Sequence, residues 1–271
     1  MRFRSAALVA VLLTALPALA TPDAAKSAIE ARLRTQLPTL TRDDYLLGPA
    51  AFDPQLRAAA ETAGEAARPV LEQGKAIWMR KFKDGRTIAT CFPNGGRRVG
   101  ATYPQYRPSM KRVFTLEMAV NQCLRLHKEP QLDFDDPATM GALTAYLRSL
   151  SADVPIAVRV PSLAERDFDA GQRMYFTRMG QRNFACASCH LQGAGHFYGD
   201  TPLSPAIGQA ARWPYLRRTE AMTLQAQIRE CLQRMGAAPF PAGSEELNDL
   251  EYFLTYLSNG LPLRPNAPHL P

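Results

Sequence analysis

Five residues, Cys186-Ala187-Ser188-Cys189-His190, restrict what this chain can fold into more than any other stretch. They spell C-x-x-C-H, the attachment signal for c-type haem. The spacing follows from the chemistry. Two thiols three positions apart each add to one vinyl group of a single porphyrin, and the adjacent His190 offers an imidazole nitrogen to the iron. A zinc reading needs a second ligand pair at zinc spacing, and the sequence has none. A thioredoxin-like reading needs a βαβ setting, whereas the flanks have helical composition. The expected cofactor is therefore one covalently bound haem c.

The N-terminus fits that chemistry, because c-type haem is attached outside the cytoplasm. Met1-Arg2-Phe3-Arg4 is a basic start, Ser5 to Leu16 is almost free of polar residues, and Ala18-Leu19-Ala20 is a small-residue cleavage site. Residues 1–20 read as a signal peptide cleaved after Ala20. The apolar run is short of the ~20 residues a membrane span needs, and Pro17 breaks it. The expected location is the periplasm, with no membrane span. Removing the leader leaves about 250 residues, room for one or two domains. The formal charge of +7 is scattered, with no run of basic residues longer than the pairs Arg80-Lys81, Arg97-Arg98, Lys111-Arg112 and Arg217-Arg218 beyond the leader. No basic stripe exists for nucleic acid to follow; solubility, or attraction of small anions, accounts for the charge.

Read in order, the chain repeats itself. Helical composition runs over 24–37 and 54–73, with apolar residues at three- and four-residue steps. Further helices are expected at 115–126, and from Asp135-Asp136-Pro137 to Leu150, with Pro at a first helical position. A Gly-, Pro- and Arg-rich loop fills 93–108, and 151–161 reads as a connection between domains. Beyond it the landmarks return. Gly171-Gln172-Arg173-Met174-Tyr175-Phe176 matches Gly74-Lys75-Ala76-Ile77-Trp78-Met79. Pro214-Tyr215-Leu216-Arg217 echoes Pro104-Gln105-Tyr106-Arg107, and Leu224 to Cys231 matches Leu116 to Cys123. Tyr256-Leu257 is set against Tyr146-Leu147 on the closing helices. Landmarks in one order mark an internal duplication. The fold expected is mainly α, with two cytochrome-c-like domains over 21–153 and 162–271, and haem in the second alone.

The duplication gives the five cysteines their places. In the second half Cys186 and Cys189 attach haem and Cys231 lies on a later helix; in the first half Cys91 and Cys123 stand at the matching positions, without C-x-x-C-H spacing. Geometry that carries Cys231 toward the iron carries Cys123 toward Cys91, so an oxidising compartment should join them, worth ~3 kcal/mol. The other reading is two free buried thiols. For the iron's second axial ligand three residues compete. Cys231 and Met235, four apart, share a helix face. A thiolate lowers the potential and a thioether raises it. His196 is only six residues past His190, too near to reach round the ring, and reads as a loop residue. His127 and His269 read as surface residues.

Taken together, C-A-S-C-H, Gly199-Asp200-Thr201-Pro202-Leu203-Ser204-Pro205-Ala206, Trp213-Pro214-Tyr215-Leu216-Arg217, the helix ending at Cys231 and Leu250-Glu251-Tyr252-Phe253-Leu254 resemble the SoxA family, from about Gly74 to Pro262. SoxA proteins are the catalytic subunits of the SoxAX cytochromes of bacterial sulfur oxidation. The resemblance implies the single-haem kind, with a disulfide in the first domain. It implies a partner cytochrome of the SoxX type. It also implies a reaction, the oxidative joining of thiosulfate to a cysteine of the carrier SoxYZ, with electrons leaving through haem. Cys231 becomes the haem-ligating, catalytic cysteine, found as a persulfide in the family. The family's anion-holding arginine is expected one turn upstream, where this chain has Gln227. Arg229 is the nearest replacement, with Arg217 and Arg234 as further candidates. Other readings are an electron carrier with His190/Met235 ligation and a thiosulfate dehydrogenase forming tetrathionate, which usually has a second haem.

Overall fold

A computed structural model describes residues 21–217 and 220–265, with backbone alone for 61–66 and Arg217. The expected leader and His269 lie outside the described residues. Helix α1, Pro22–Gln36, begins where the Thr21 side chain accepts from Ala24 N–H and Pro22 supplies a preset first turn. It buries Ala25, Ile29 and Leu33, one apolar stripe at four-residue spacing. A 3-10 segment, Asp43–Ala51, follows.

The first half proper then begins. Helix α2, Pro54–Met79, is capped by Asp53, which accepts from the N–H groups of Gln55 and Leu56. Strands β1 (Gln105–Arg107) and β2 (Arg112–Phe114) form an antiparallel hairpin. Helix α3 is Leu116–Leu126, capped by Thr115, and α4 is Ala142–Ser149, entered through a wide turn at Pro137–Gly141.

The second half repeats this plan. It has α5 (Glu165–Phe176), a small hairpin of β3 (Phe197–Tyr198) and β4 (Thr201–Pro202), and the one-turn α6 (Gln209–Arg212). A second hairpin, β5 (Tyr215–Arg217) and β6 (Glu220–Met222), leads to α7 (Leu224–Arg234), capped by Thr223. Helix α8, Glu245–Leu257, closes the fold from its cap at Ser244.

Two glycines fix the correspondence between the halves. A Cβ on Gly74 would lie 2.0 Å from Ala142 O and 2.8 Å from Tyr146 Cβ. A Cβ on Gly171 would lie 2.0 Å from Asp249 O and 3.0 Å from Phe253 Cβ. Only hydrogen fits at either crossing, so α2 meets α4 as closely as α5 meets α8. The equation of these contacts corrects the sequence alignment of the closing helices. Tyr146 corresponds to Phe253; Tyr256 lies three residues further on, nearly one turn, where a second Tyr-Leu pair imitates the first. Both halves also place a cis X-Pro bond before the matching hairpin, at Tyr103-Pro104 and Trp213-Pro214.

The expected unit 21–153 does not hold together as drawn. Residues 21–52 pack on the second half. Gln36 Nε2 donates to Gln192 O at 2.9 Å and Ala194 O at 2.7 Å. Arg42 donates to Asn259 O at 2.6 Å, and Tyr256 OH donates to Asp23 at 2.6 Å. The stripe of α1 finds its apolar partners there, and the chain crosses back only with α2.

One continuous core joins the halves. At its centre Arg148 of α4 is wholly buried, donating to Trp213 O at 2.8 Å, Gly100 O at 3.1 Å and Ala210 O at 2.6 Å. Its guanidinium lies 3.9 Å over the Trp213 ring. Burial lowers its pKa to about 10, while Glu251 and Glu117 act to raise it. Burial raises both of those carboxyls in turn. Among the described residues no helix is long and apolar enough to cross a membrane.

Candidate functional site

The second half encloses a pocket between α5, α6, α7, α8 and the β3–β4 hairpin, and Cys186, Cys189, His190, Cys231 and Met235 all line it. His190 sits in a wide turn, Ser188–Gln192. Its Nδ1 lies 2.8 Å from Ser204 O, and the Gln209 side chain is 2.7 Å from the same nitrogen. A backbone carbonyl only accepts, so Nδ1–H donates to Ser204 O and Nε2 keeps its lone pair; the Gln209 amide nitrogen, itself a donor, makes its hydrogen bond to Ser204 Oγ at 3.2 Å instead. Burial also lowers the His190 pKa and favours the neutral ring. An oriented, neutral imidazole with a free Nε2 is what an axial ligand requires.

Cys186 and Cys189 are free and half-buried. Burial pushes the Cys186 thiol up to about 12, and the nearby Cys231 adds to the shift. Cys231, also free, lies on α7. Gln227 Nε2, one turn upstream, donates to Cys231 Sγ at 3.7 Å. Burial raises the Cys231 thiol, against the Gln227 hydrogen bond and the Arg234 charge. Met235, one turn further on, caps the same helix, so both sulfur candidates face one space. His196 is exposed in the bend just before β3 and does not line the pocket, as expected of a loop residue.

The lining fits a haem. Three free sulfurs and an imidazole converge, and two buried polar atoms of the wall, Tyr175 OH and Gln227 Oε1, have no partner. In the first half the matching space is filled. Trp78 stands where the second half has Tyr175, and its ring packs on Phe92 at 5.7 Å and on Tyr146 at 6.3 Å. There Cys91 and Cys123 are joined in a disulfide across 32 positions. The reading of two free thiols is set aside.

The arginines need correcting. Arg229 does not reach Cys231. Its guanidinium pairs with Asp135 of the first half, in a separate cleft between the halves. Residues two apart on a helix face nearly opposite ways, which excludes position 229 from the side that 227, 231 and 235 share. Arg229→Ala should accordingly leave haem spectrum and turnover unchanged and cost less than about 1 kcal/mol of stability, by denaturant titration. Arg234 lines the pocket, with its guanidinium 3.9 Å from Glu230. Arg217 lies in β5, its side chain undescribed. His127 is no surface residue: its side chain is mostly buried, 2.6 Å from Asp84 and stacked on Phe82 at 4.8 Å. Sequence reasoning missed Ser204, Gln209, Arg182 and Arg212, all in the pocket wall. It also missed Tyr175, although the duplication had set that residue opposite Trp78.

Comparison with known proteins agrees with this geometry. The family model described as SoxA/TsdA, cytochrome c domain, matches twice, over residues 73–156 and 170–263. The L-cysteine S-thiosulfotransferase subunit SoxA of Allochromatium vinosum is 34% identical over 251 residues, covering 90% of this chain and 89% of the relative. The subunit of that name from Chlorobaculum tepidum is 34% identical over 244 residues, covering 88% and 85%. The crystal structure of SoxXA from P. pantotrophus superposes with a TM-score of 0.68 at 22% identity, covering 76% of this chain and 79% of that one. With two copies of the cytochrome c domain and these relatives across most of its length, the chain belongs to the SoxA family.

Proposed function

We propose that this chain is a periplasmic c-type cytochrome acting as an L-cysteine S-thiosulfotransferase, with one haem c bound to Cys186 and Cys189 and ligated by His190 and Cys231. The observation that carries the reading is the placement of Cys231, a free sulfur on α7, in the wall of the same pocket as the C-x-x-C-H turn. The relatives' shared name supplies the reaction class. In balanced form, thiosulfate and a carrier thiol give a cysteine S-thiosulfonate, one proton and two electrons; one S–S bond forms and an S–H bond breaks. Bound haem supplies the route by which those electrons leave, one at a time, to a SoxX-type cytochrome partner.

The chain's own residues do the rest. Ser204 O fixes the His190 ring, and Gln227 holds the Cys231 sulfur with its side-chain N–H. Burial keeps Cys231 protonated until a metal or an electrophile replaces the proton. Thiosulfate joined oxidatively to the Cys231 sulfur passes on when the thiolate of a SoxYZ carrier arm attacks its sulfane sulfur, which leaves the S-thiosulfonate on the carrier and frees the Cys231 thiolate. Arg182 and Arg234 line the pocket as cations for the entering anion. The exposed Phe197 and Tyr198, on the hairpin beside the pocket, offer an apolar edge for the partner cytochrome.

Met235 keeps a second reading in view, an electron carrier with His/Met ligation, because it lines the pocket too. The dehydrogenase reading has no second C-x-x-C-H to rest on. Two measurements test the proposal. A pyridine haemochrome assay of the exported protein should give one haem per chain; two would mean that the first half binds one. Electron paramagnetic resonance of the oxidised protein should show thiolate-ligated low-spin iron. A His/Met signal, together with no S-thiosulfonate on the carrier after incubation with thiosulfate, would transfer the assignment to the electron carrier.

A further inference from the structure

Among the described residues two arginines are buried, and their surroundings differ. Arg148 spends its donors on three carbonyl oxygens and stacks on Trp213. Arg212, the last residue of α6, is only 5% exposed, yet among the described residues its guanidinium makes no hydrogen bond or ion pair. The Tyr215 ring lies 5.7 Å from its Cζ. Burial lowers its pKa, and no carboxylate acts against that. A buried cation with unfilled donors is costly unless an anion completes it.

The place where that anion would sit is defined. Arg212 lines the same pocket as His190, and Pro49 of the N-terminal segment lines it beside Arg212. The preceding Gly48 has φ 58°, and a Cβ there would lie 1.8 Å from Arg212 Nη1 and 2.4 Å from Cζ. The segment Asp43–Ala51 thus crosses directly over the guanidinium and closes that end of the pocket. Cys186 and Cys189 act on Tyr175 and none of the three thiols acts on Arg212, while the Tyr215 ring stands within reach of both Arg212 and Cys231. Arg212 therefore stands apart from the thioether side. A porphyrin carries its two propionates on the edge away from its vinyl-derived carbons, which is the disposition these residues present.

Resting on the covalent-haem reading above, we propose that Arg212 is a propionate clamp. Its guanidinium receives a haem carboxylate through charge-assisted hydrogen bonds, beneath the strap of Gly48 and Pro49. The strap lies outside the matched cytochrome c domain, which begins at residue 73, so this chain completes its haem pocket with a segment of its own N-terminus. Arg212 is a positioning residue: it holds the cofactor's edge and stays away from the reacting sulfur. Its positive charge favours the ferrous state, which carries one positive charge less.

The test compares haem-loaded wild type with Arg212→Gln and Arg212→Lys by haemochrome assay, resonance Raman and redox titration. All three should carry one covalent haem, since attachment depends on Cys186 and Cys189. In Arg212→Gln the propionate bending bands should shift and the midpoint potential should fall. In Arg212→Lys the bands should shift while the potential stays near wild type, because the charge is kept and the planar fork is lost. Unchanged propionate bands in either variant would overturn the clamp. Unchanged bands with a raised KM for thiosulfate would also overturn it and give the guanidinium to the substrate. If the Gln variant fails to accumulate, the Lys variant carries the decision through its bands alone. A wild-type protein without covalent haem would instead remove the reading on which the clamp rests.

Discussion

Replacing Cys231 with Ala is expected to abolish thiosulfate conjugation while leaving one haem per chain. Attachment needs Cys186 and Cys189, on a different segment of the chain from α7, and the His190 ring is held independently by Ser204. The loss should be on the order of 10³-fold or more, because a group that enters a covalent step has no partial substitute. The visible spectrum should move as well, since a sulfur ligand is lost. Met235, one turn away and lining the same wall, is the residue free to replace it. Cys231→Met separates the two roles of the sulfur. A thioether restores low-spin ligation at a higher potential but forms no persulfide, so activity should stay absent. If Cys231→Ala kept both spectrum and activity, the enzyme assignment would fall and ligation would pass to Met235. A change of spectrum with activity retained would make Cys231 a ligand without a catalytic role.

The pattern of what the sequence disclosed is physical. Motifs set by local chemistry were legible: the C-x-x-C-H turn, the helix over 115–126, and the two cysteines at equal depth in α3 and α7. The pairing of Cys91 with Cys123 followed from duplication plus an oxidising compartment. What failed were statements needing three-dimensional register. The closing helices contain two Tyr-Leu pairs, so matching letters chose Tyr256, whereas contact at Gly171 selects Phe253. Arg229 was close in sequence but on the wrong face. The N-terminal segment was assigned to the nearer half because sequence order is silent about docking; the stripe of α1 settles on the second half instead. Arg212 and Gln209 gave no signal, because neither has a motif and both acquire meaning only from the pocket they line.

The second large effect expected is in stability. The double variant Cys91→Ala/Cys123→Ala should lose about 2–5 kcal/mol, the usual consequence of removing a native bridge. Changing both residues avoids leaving a lone buried thiol, since Cys123 is only 1% exposed. The bridge ties the turn Ile88–Cys91 to α3 across 32 positions, so its loss returns that much freedom to the unfolded chain. It also opens the packing beside Phe92 and Trp78, which fill the space that matches the pocket of the other half. Guanidinium unfolding followed by tryptophan fluorescence should show the lowered midpoint, because Trp78 is one of two tryptophans and lies beside the bridge. The haem band should report a smaller loss, since α5, α7, α8 and the thioether bonds are untouched. At ambient temperature the variant should keep its haem, spectrum and turnover. A midpoint equal to wild type would show that the Trp78 cluster holds the first half without the bridge. Loss of haem from the variant would show that the bridge supports the second half directly, against a division of labour between the halves.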